Sequence, residues 1–122
     1  MRNFSTGATR DSDAGKLDYD GFFCPAVLER RAQYMHKHRI QPDGNLRDSS
    51  NWQKGIPIVE YRRSLWRHFR DLWALAWGLE IIDEKTKESI DIETAICSCM
   101  FNLEGWLHEL LKAKREQKGQ SE

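Results

Sequence analysis

The segment from Pro57 to Gly78, PIVEYRRSLWRHFRDLWALAWG, constrains the fold of this chain more than any other. Ile58, Tyr61, Leu65, Phe69, Leu72 and Ala76 recur at helical spacing and form one apolar stripe. Trp66, Trp73 and Trp77 form a second stripe beside it. The combined arc is wide, which predicts a central helix that touches two partners. Pro57 suits the helix start and Gly78 its end.

Another long helix is predicted from about Ser89 or Asp91 to about Lys112. Its core face reads Ile92, Ala95, Ile96, Cys99, Leu103, Trp106, Leu107 and Leu110. Gly105 falls inside it, at a cost of about 1 kcal/mol relative to alanine; a close helix crossing would justify that cost. A shorter helix starts at Pro25, with Val27, Leu28, Ala32, Tyr34 and Met35 roughly on one side. Its basic end suits the helix dipole. Residues 1–22 read as irregular, 79–89 as a charged connector and 113–122 as a solvated tail, and no convincing strand appears. The expected fold is all-α: three main helices with long polar loops, residues 1–112 forming a single helical domain. Three helices bury a thin core, so a homo-oligomer, dimer or higher, is the expected completion.

Composition narrows the function classes. Lysine and arginine balance aspartate and glutamate at 19 each, so the basic footprint of a nucleic-acid polymer binder is missing, as is a pull toward acidic membranes. No apolar run reaches the roughly 18 residues that span a bilayer. With no secretory leader visible, the expected location is the cytoplasm. Mean hydropathy is low, −0.73, yet the chain carries five tryptophans and five phenylalanines. That apolar surface is expected to lie between subunits. Cys24, Cys97 and Cys99 are odd in number and lack zinc-ligand spacing, so all three are predicted to be buried, reduced thiols.

Four stretches could carry chemistry. The opening segment contains Gly15-Lys16, but Leu17 follows the lysine and seven residues separate Gly7 from Gly15, so it is no phosphate loop. Phosphate contact by Arg10 and Lys16 in another geometry stays open. Residues 41–56 form a loop of unusual length, which points to function or disorder; Trp52 argues against disorder, because so large an aromatic usually finds a pocket. Asn51-Trp52-Gln53-Lys54-Gly55 could offer a stacking platform, an amide for a base edge and a cation, or Trp52 could be a loop anchor. Arg67, His68 and Asp71 can meet on one helix flank. There Asp71 could hold a divalent metal or orient His68 while Arg67 holds a phosphate, or the group could be an intrahelical salt bridge. Asn102, inside an apolar run, is either an interhelical hydrogen-bond partner or a ligand-reading group.

The order of these motifs resembles a known family. It runs Gly15-Lys16-Leu17-Asp18, a helix, Asn51-Trp52-x-Lys54-Gly55, Pro57, Arg67-His68 and a late helix with Asn102. This is similar to small phage and bacterial proteins named for the dATP/dGTP diphosphohydrolase N-terminal region, from about Thr6 to Leu111. The opening TGATRDSDAGKLDY looks like the phage branch. Lys16, Asp18, Asn51, Trp52, Gly55, Arg67, His68 and Asn102 match the family pattern. The resemblance implies an all-helical protein related to the all-α nucleoside triphosphate pyrophosphohydrolases. It implies cleavage of a (deoxy)purine nucleoside triphosphate to monophosphate and pyrophosphate with Mg²⁺, or Mn²⁺ in its place. The paired carboxylates of that class, ExxE on one helix and ExxD on the next, are not visible here. Glu80 and Asp83 have ExxD spacing but fall in the connector. A two-metal site would recruit Asp18, Asp71, Asp91 or Glu93 from separate elements or from two subunits.

The expected enzyme assigns catalytic roles to Asp71, His68 and Lys16, with Asp71 and Glu93 as metal ligands by helix geometry. Arg10, Asp18, Asn51, Trp52, Lys54, Arg67 and Asn102 would bind nucleotide, with the opening segment as a lid across the triphosphate. Two alternatives accompany it: a non-catalytic protein that sequesters nucleotides or cyclic nucleotides, and a helical module whose tryptophan stripe binds another protein.

Overall fold

The computed structural model describes residues 1–121, with the side chains up to Gly119. The architecture is all-α, as expected. A two-residue antiparallel ribbon, β1 (Arg2–Asn3) and β2 (Thr9–Arg10), precedes a single helical turn, α1 (Tyr19–Phe22). Three longer helices follow: α2 (Pro25–Lys37), α3 (Ile58–Ala76) and α4 (Ile92–Ser121). The helix starts obey local chemistry. Pro25 stands in the first turn of α2. The Asp91 carboxylate accepts from Thr94 N at 2.7 Å and caps α4, which holds its pKa below the ordinary aspartate range. Gly78, at φ +83°, closes α3 in the left-handed region.

Several expectations need correction. Residues 1–22 are not wholly irregular, because the ribbon and α1 form there; the Asp18 side chain accepts from Gly21 N at 3.0 Å and caps that turn. The connector is a hairpin, with Ile82 bridged to Ser89 and Asp83 accepting from Lys85 and Thr86 N. Asp83 is therefore a turn former, not half of a carboxylate pair. Helix α4 runs on through the predicted tail, of which Glu122 lies outside the described residues. Its apolar period ends near Leu111, but AKREQK consists of strong helix formers and needs no packing partner. Cys97 and Cys99 are buried thiols, whereas Cys24 is exposed.

Packing is organised along α4. Helix α3 lies against it along much of its length, and α2 crosses it more briefly. Tyr61 is only 2% exposed, and a Cβ built on Gly105 would clash with its ring at Cε1 and Cζ. The mid-helix glycine is thus what lets α3 and α4 close on each other. The rest of the seam on α4 is also small: Ala95, Cys97, Ser98, Cys99 and Asn102 are buried. On the α2 side, Ser98 Oγ donates to the Thr94 carbonyl at 3.0 Å and shares a 2.8 Å hydrogen bond with the Tyr34 hydroxyl. Arg30 and Arg31 reach across to Glu93 and Glu104.

The predicted apolar faces divide in two. Tyr61, Ala95 and Cys99 go inward, while Trp66, Phe69, Trp73, Trp77, Ile96, Leu103, Leu107 and Leu110 stay exposed. On α2, Val27 and Leu28 are exposed as well and only Tyr34 is fully covered. Gly105→Ala is expected to destabilise by about 1–3 kcal/mol through overpacking. The test is thermal unfolding; an unchanged midpoint would show that Tyr61 can give way.

Candidate functional site

The main cavity, of about 290 Å³, lies where the end of α2, the following loop and the middle of α4 converge. Helix α2 supplies Tyr34, Met35 and His38, and α4 supplies Phe101. The loop supplies Arg39, Arg47, Asp48, Ser49, Asn51, Trp52 and Ile56. The size falls at the lower end of small-molecule pockets. The walls are aromatic, with two guanidinium groups, one carboxylate and one amide among them.

The loop that carries these groups is a built structure. Ile40 bridges to Leu46, and Gln41 N donates to the Asn45 carbonyl. Arg39 and Arg47 exchange bonds in both directions: Arg47 N donates to the Arg39 carbonyl and Arg39 Nε to the Arg47 carbonyl, each at 2.7 Å. Asp48 accepts from Ser50 N, which holds its carboxyl below the ordinary range and keeps it charged. Residues Asn51–Lys54 then form a 3₁₀ turn that seats Trp52 on α4. The indole meets Phe101 and His108 edge-on, at centroid distances of 6.2 and 4.8 Å. Ile56 N donates to Glu109 and pins the end of the loop to the same helix. Tyr61 Oη and His108 Nε2, buried directly behind Phe101 and Trp52, have no protein hydrogen-bond partner. Such atoms cost about 1–3 kcal/mol each when left unmade.

Of the residues singled out from sequence, Asn51 and Trp52 line this cavity. Trp52 is at once loop anchor and pocket wall, so the two readings of it are compatible. His68 on α3 lies within electrostatic reach of His38 in the pocket wall and of Asp71 and Arg67 on its own helix. Burial pushes His68 below the ordinary histidine range; Asp71 opposes this, while Arg67 and His38 add to it. Lys54 is exposed on the 3₁₀ turn.

The remaining residues are dispersed. Arg10, Lys16 and Asp18 belong to the exposed N-terminal arm, from which no hydrogen bond or ion pair among the described residues reaches the helices beyond Cys24. Arg67 is exposed, and Asp71 pairs with its neighbour Arg70 at 3.2 Å instead of with Arg67. Glu93 is held by Arg30 at 2.9 Å. Asn102 is buried and donates to the Ser98 carbonyl of its own helix at 2.8 Å, so its amide neither crosses between helices nor lines the cavity. Among the described residues, no three His, Cys, Asp or Glu side chains converge as a metal site. The carboxylates named for Mg²⁺ do not converge in this arrangement: Asp71 pairs with Arg70, Asp91 and Glu93 face Arg30, and Asp18 caps Gly21 N on the arm.

Sequence reasoning missed Tyr34, His38, Arg39, Arg47, Asp48 and Phe101. The signal for some of them was visible: the basic stretch HKHR runs straight into the long loop. It served there as a dipole complement, although two of its residues face the cavity.

The family model described as dATP/dGTP diphosphohydrolase, N-terminal, matches residues 6–115, and the chain belongs to that family. No curated protein and no solved structure matches it. No helix among the described residues is long and apolar enough to cross a membrane.

Acid should weaken the fold through His68. Its folded pKa lies below its unfolded one, so at mildly acidic pH the unfolded chain binds more protons. The stability this neutral imidazole contributes is full above about pH 6.5 and is lost as pH falls below it. His68→Gln is expected to shrink the drop in unfolding midpoint between about pH 7.5 and about pH 5.5; an identical drop in both proteins would exclude His68 as its source.

Proposed function

We propose that this chain binds a purine deoxynucleoside triphosphate, with the base in the cavity beside Trp52. The carrying observation is the wall itself. Tyr34, Trp52 and Phe101 offer flat apolar surface, Asn51 and Asp48 offer hydrogen-bonding edges, and Arg39 and Arg47 supply fixed positive charge. A nucleotide needs those three elements together: stacking, edge recognition and phosphate neutralisation. The family description adds dATP and dGTP as the substrate class. Arg10 and Lys16 would meet the phosphates when the arm lies over the site.

The finer reading is hydrolysis to monophosphate and pyrophosphate with Mg²⁺. In it, His68, kept neutral by burial, is available to take a proton from the attacking water. Arg39 and Arg47 would balance the charge on the phosphates. The acids that would hold a metal must then come from a rearranged arm or from a second chain. Nucleotide binding without turnover is the second reading, and the engagement of Asp71 and Glu93 by arginines favours it.

Incubation of the chain with dATP and with dGTP, with Mg²⁺ and with chelator, separates the two. Monophosphate and pyrophosphate formed only with metal would establish hydrolysis; tight binding by calorimetry without product would establish the binder. Absence of both product and binding would remove the proposal. Trp52→Ala is expected to weaken nucleotide binding about tenfold or more, since a stacked base is worth about 1–3 kcal/mol. Unaltered affinity in a folded variant would return Trp52 to anchoring alone.

A further inference from the structure

The outer side of α4 carries a second apolar stripe, half-covered by α2 at Met100 and open to solvent at Ile96, Leu103, Leu107 and Leu110. Ile96, Met100, Leu103, Leu107 and Leu110 follow one another at alternating intervals of four and three residues, the spacing of a helix–helix seam. Leu103 and Leu107 are 52% and 56% exposed. At its N-terminal end the stripe opens into a groove of about 270 Å³ between α2 and α4, floored by Ala26, Val27, Ile96, Cys97 and Met100. The Arg30–Glu93 and Arg31–Glu104 ion pairs run beside it.

We propose that a second copy of this chain covers this stripe, in a two-fold arrangement with the α4 helices antiparallel and Leu103 at the axis. Three observations choose a like chain as the occupant. The first is area. A folded monomer of 14.4 kDa is expected to leave about 6,800 Å² accessible. This chain leaves 10140 Å². The surplus exceeds what one partner contributes to a stable interface, about 800 Å². The extended arm and the projecting end of α4 account for part of it, and the uncovered stripe for another part.

The second is self-complementarity. A two-fold interface needs ridge and groove within one patch, so that each copy fills the other. Here the ridge is Leu107 and Leu110, and the groove lies next to Ile96 and Met100. Leu103 is midway between them. Reversing one helix about Leu103 brings Ile96 opposite Leu110 of the second copy, and so seats the ridge at the mouth of the groove. The third is charge. The chain is neutral overall, and its rim arginines are already paired with acids, so two copies meet without net repulsion.

The test is the molar mass of the full chain by light scattering at micromolar concentration. Twice the chain mass, or a higher even multiple, is expected; a mass of one or three chains would overturn the proposal. Leu103→Glu combined with Leu107→Glu is expected to halve the mass while circular dichroism stays helical. A folded double variant of unchanged mass would also overturn it. Should that variant fail to fold, Leu103→Cys in a Cys24→Ser background supplies the remaining arm. Mild oxidation is expected to link two chains through their axis positions, and failure to link would overturn the arrangement.

Discussion

The crossing of Tyr61 over Gly105 is the contact on which the rest of the structure depends. It fixes how near α3 comes to α4, and the absence of a side chain at position 105 is what permits it. A close crossing demands small residues, and the buried positions of α4 are small: Ala95, Cys97, Ser98, Cys99 and Asn102. Small residues bury little apolar area, so the seam is tight but not rich. Burying a large aliphatic or aromatic side chain contributes about 1.5–3 kcal/mol, and most of those this chain possesses lie elsewhere. Close approach inside has placed the large residues outside, as ridges on α3 and α4.

The same scaffold positions the pocket. Helix α4 is the floor for Phe101, the seat for the Trp52 turn and, through Glu109, the tether for the loop end. Helix α2 is held on α4 by the Tyr34–Ser98 hydrogen bond and by two ion pairs, and its last turn brings His38 and Arg39 to the cavity. Most of the polar and charged lining thus comes from a loop, while its placement comes from helices. That division lets the loop present charge and hydrogen-bonding edges without weakening the seam below it.

What could be read from sequence follows from which interactions are local. The helical spacing of Ile58, Tyr61 and Leu65, the stop at Gly78 and the cost of Gly105 are local or nearly so, and they are all visible in the fold. The division of α4 into an inner and an outer apolar face was not legible, because hydropathy marks Ile96 and Cys99 alike and only packing separates them. In the site, Trp52 and Asn51 could be found because a large aromatic in a polar loop is anomalous in itself. Arg39, Arg47 and Asp48 could not, since each is an unremarkable surface charge until the loop folds back on α2. The pairing expected between Arg67 and Asp71 lost to the adjacent Arg70, a competition that helical spacing alone does not decide.

The N-terminal arm shows where local and distant determinants part. It is ordered by its own ribbon and by the Asp18 cap, so its shape needs nothing from the helices. It still displays Leu17, Tyr19, Phe22 and Phe23 to solvent, and the family match begins at residue 6, inside it. Met1 and Phe4 are exposed as well, so a segment that folds by local bonds leaves its large apolar residues uncovered. Lys16 and Asp18 are carried on that element, so their distance from the pocket beside Trp52 is set by where the arm lies.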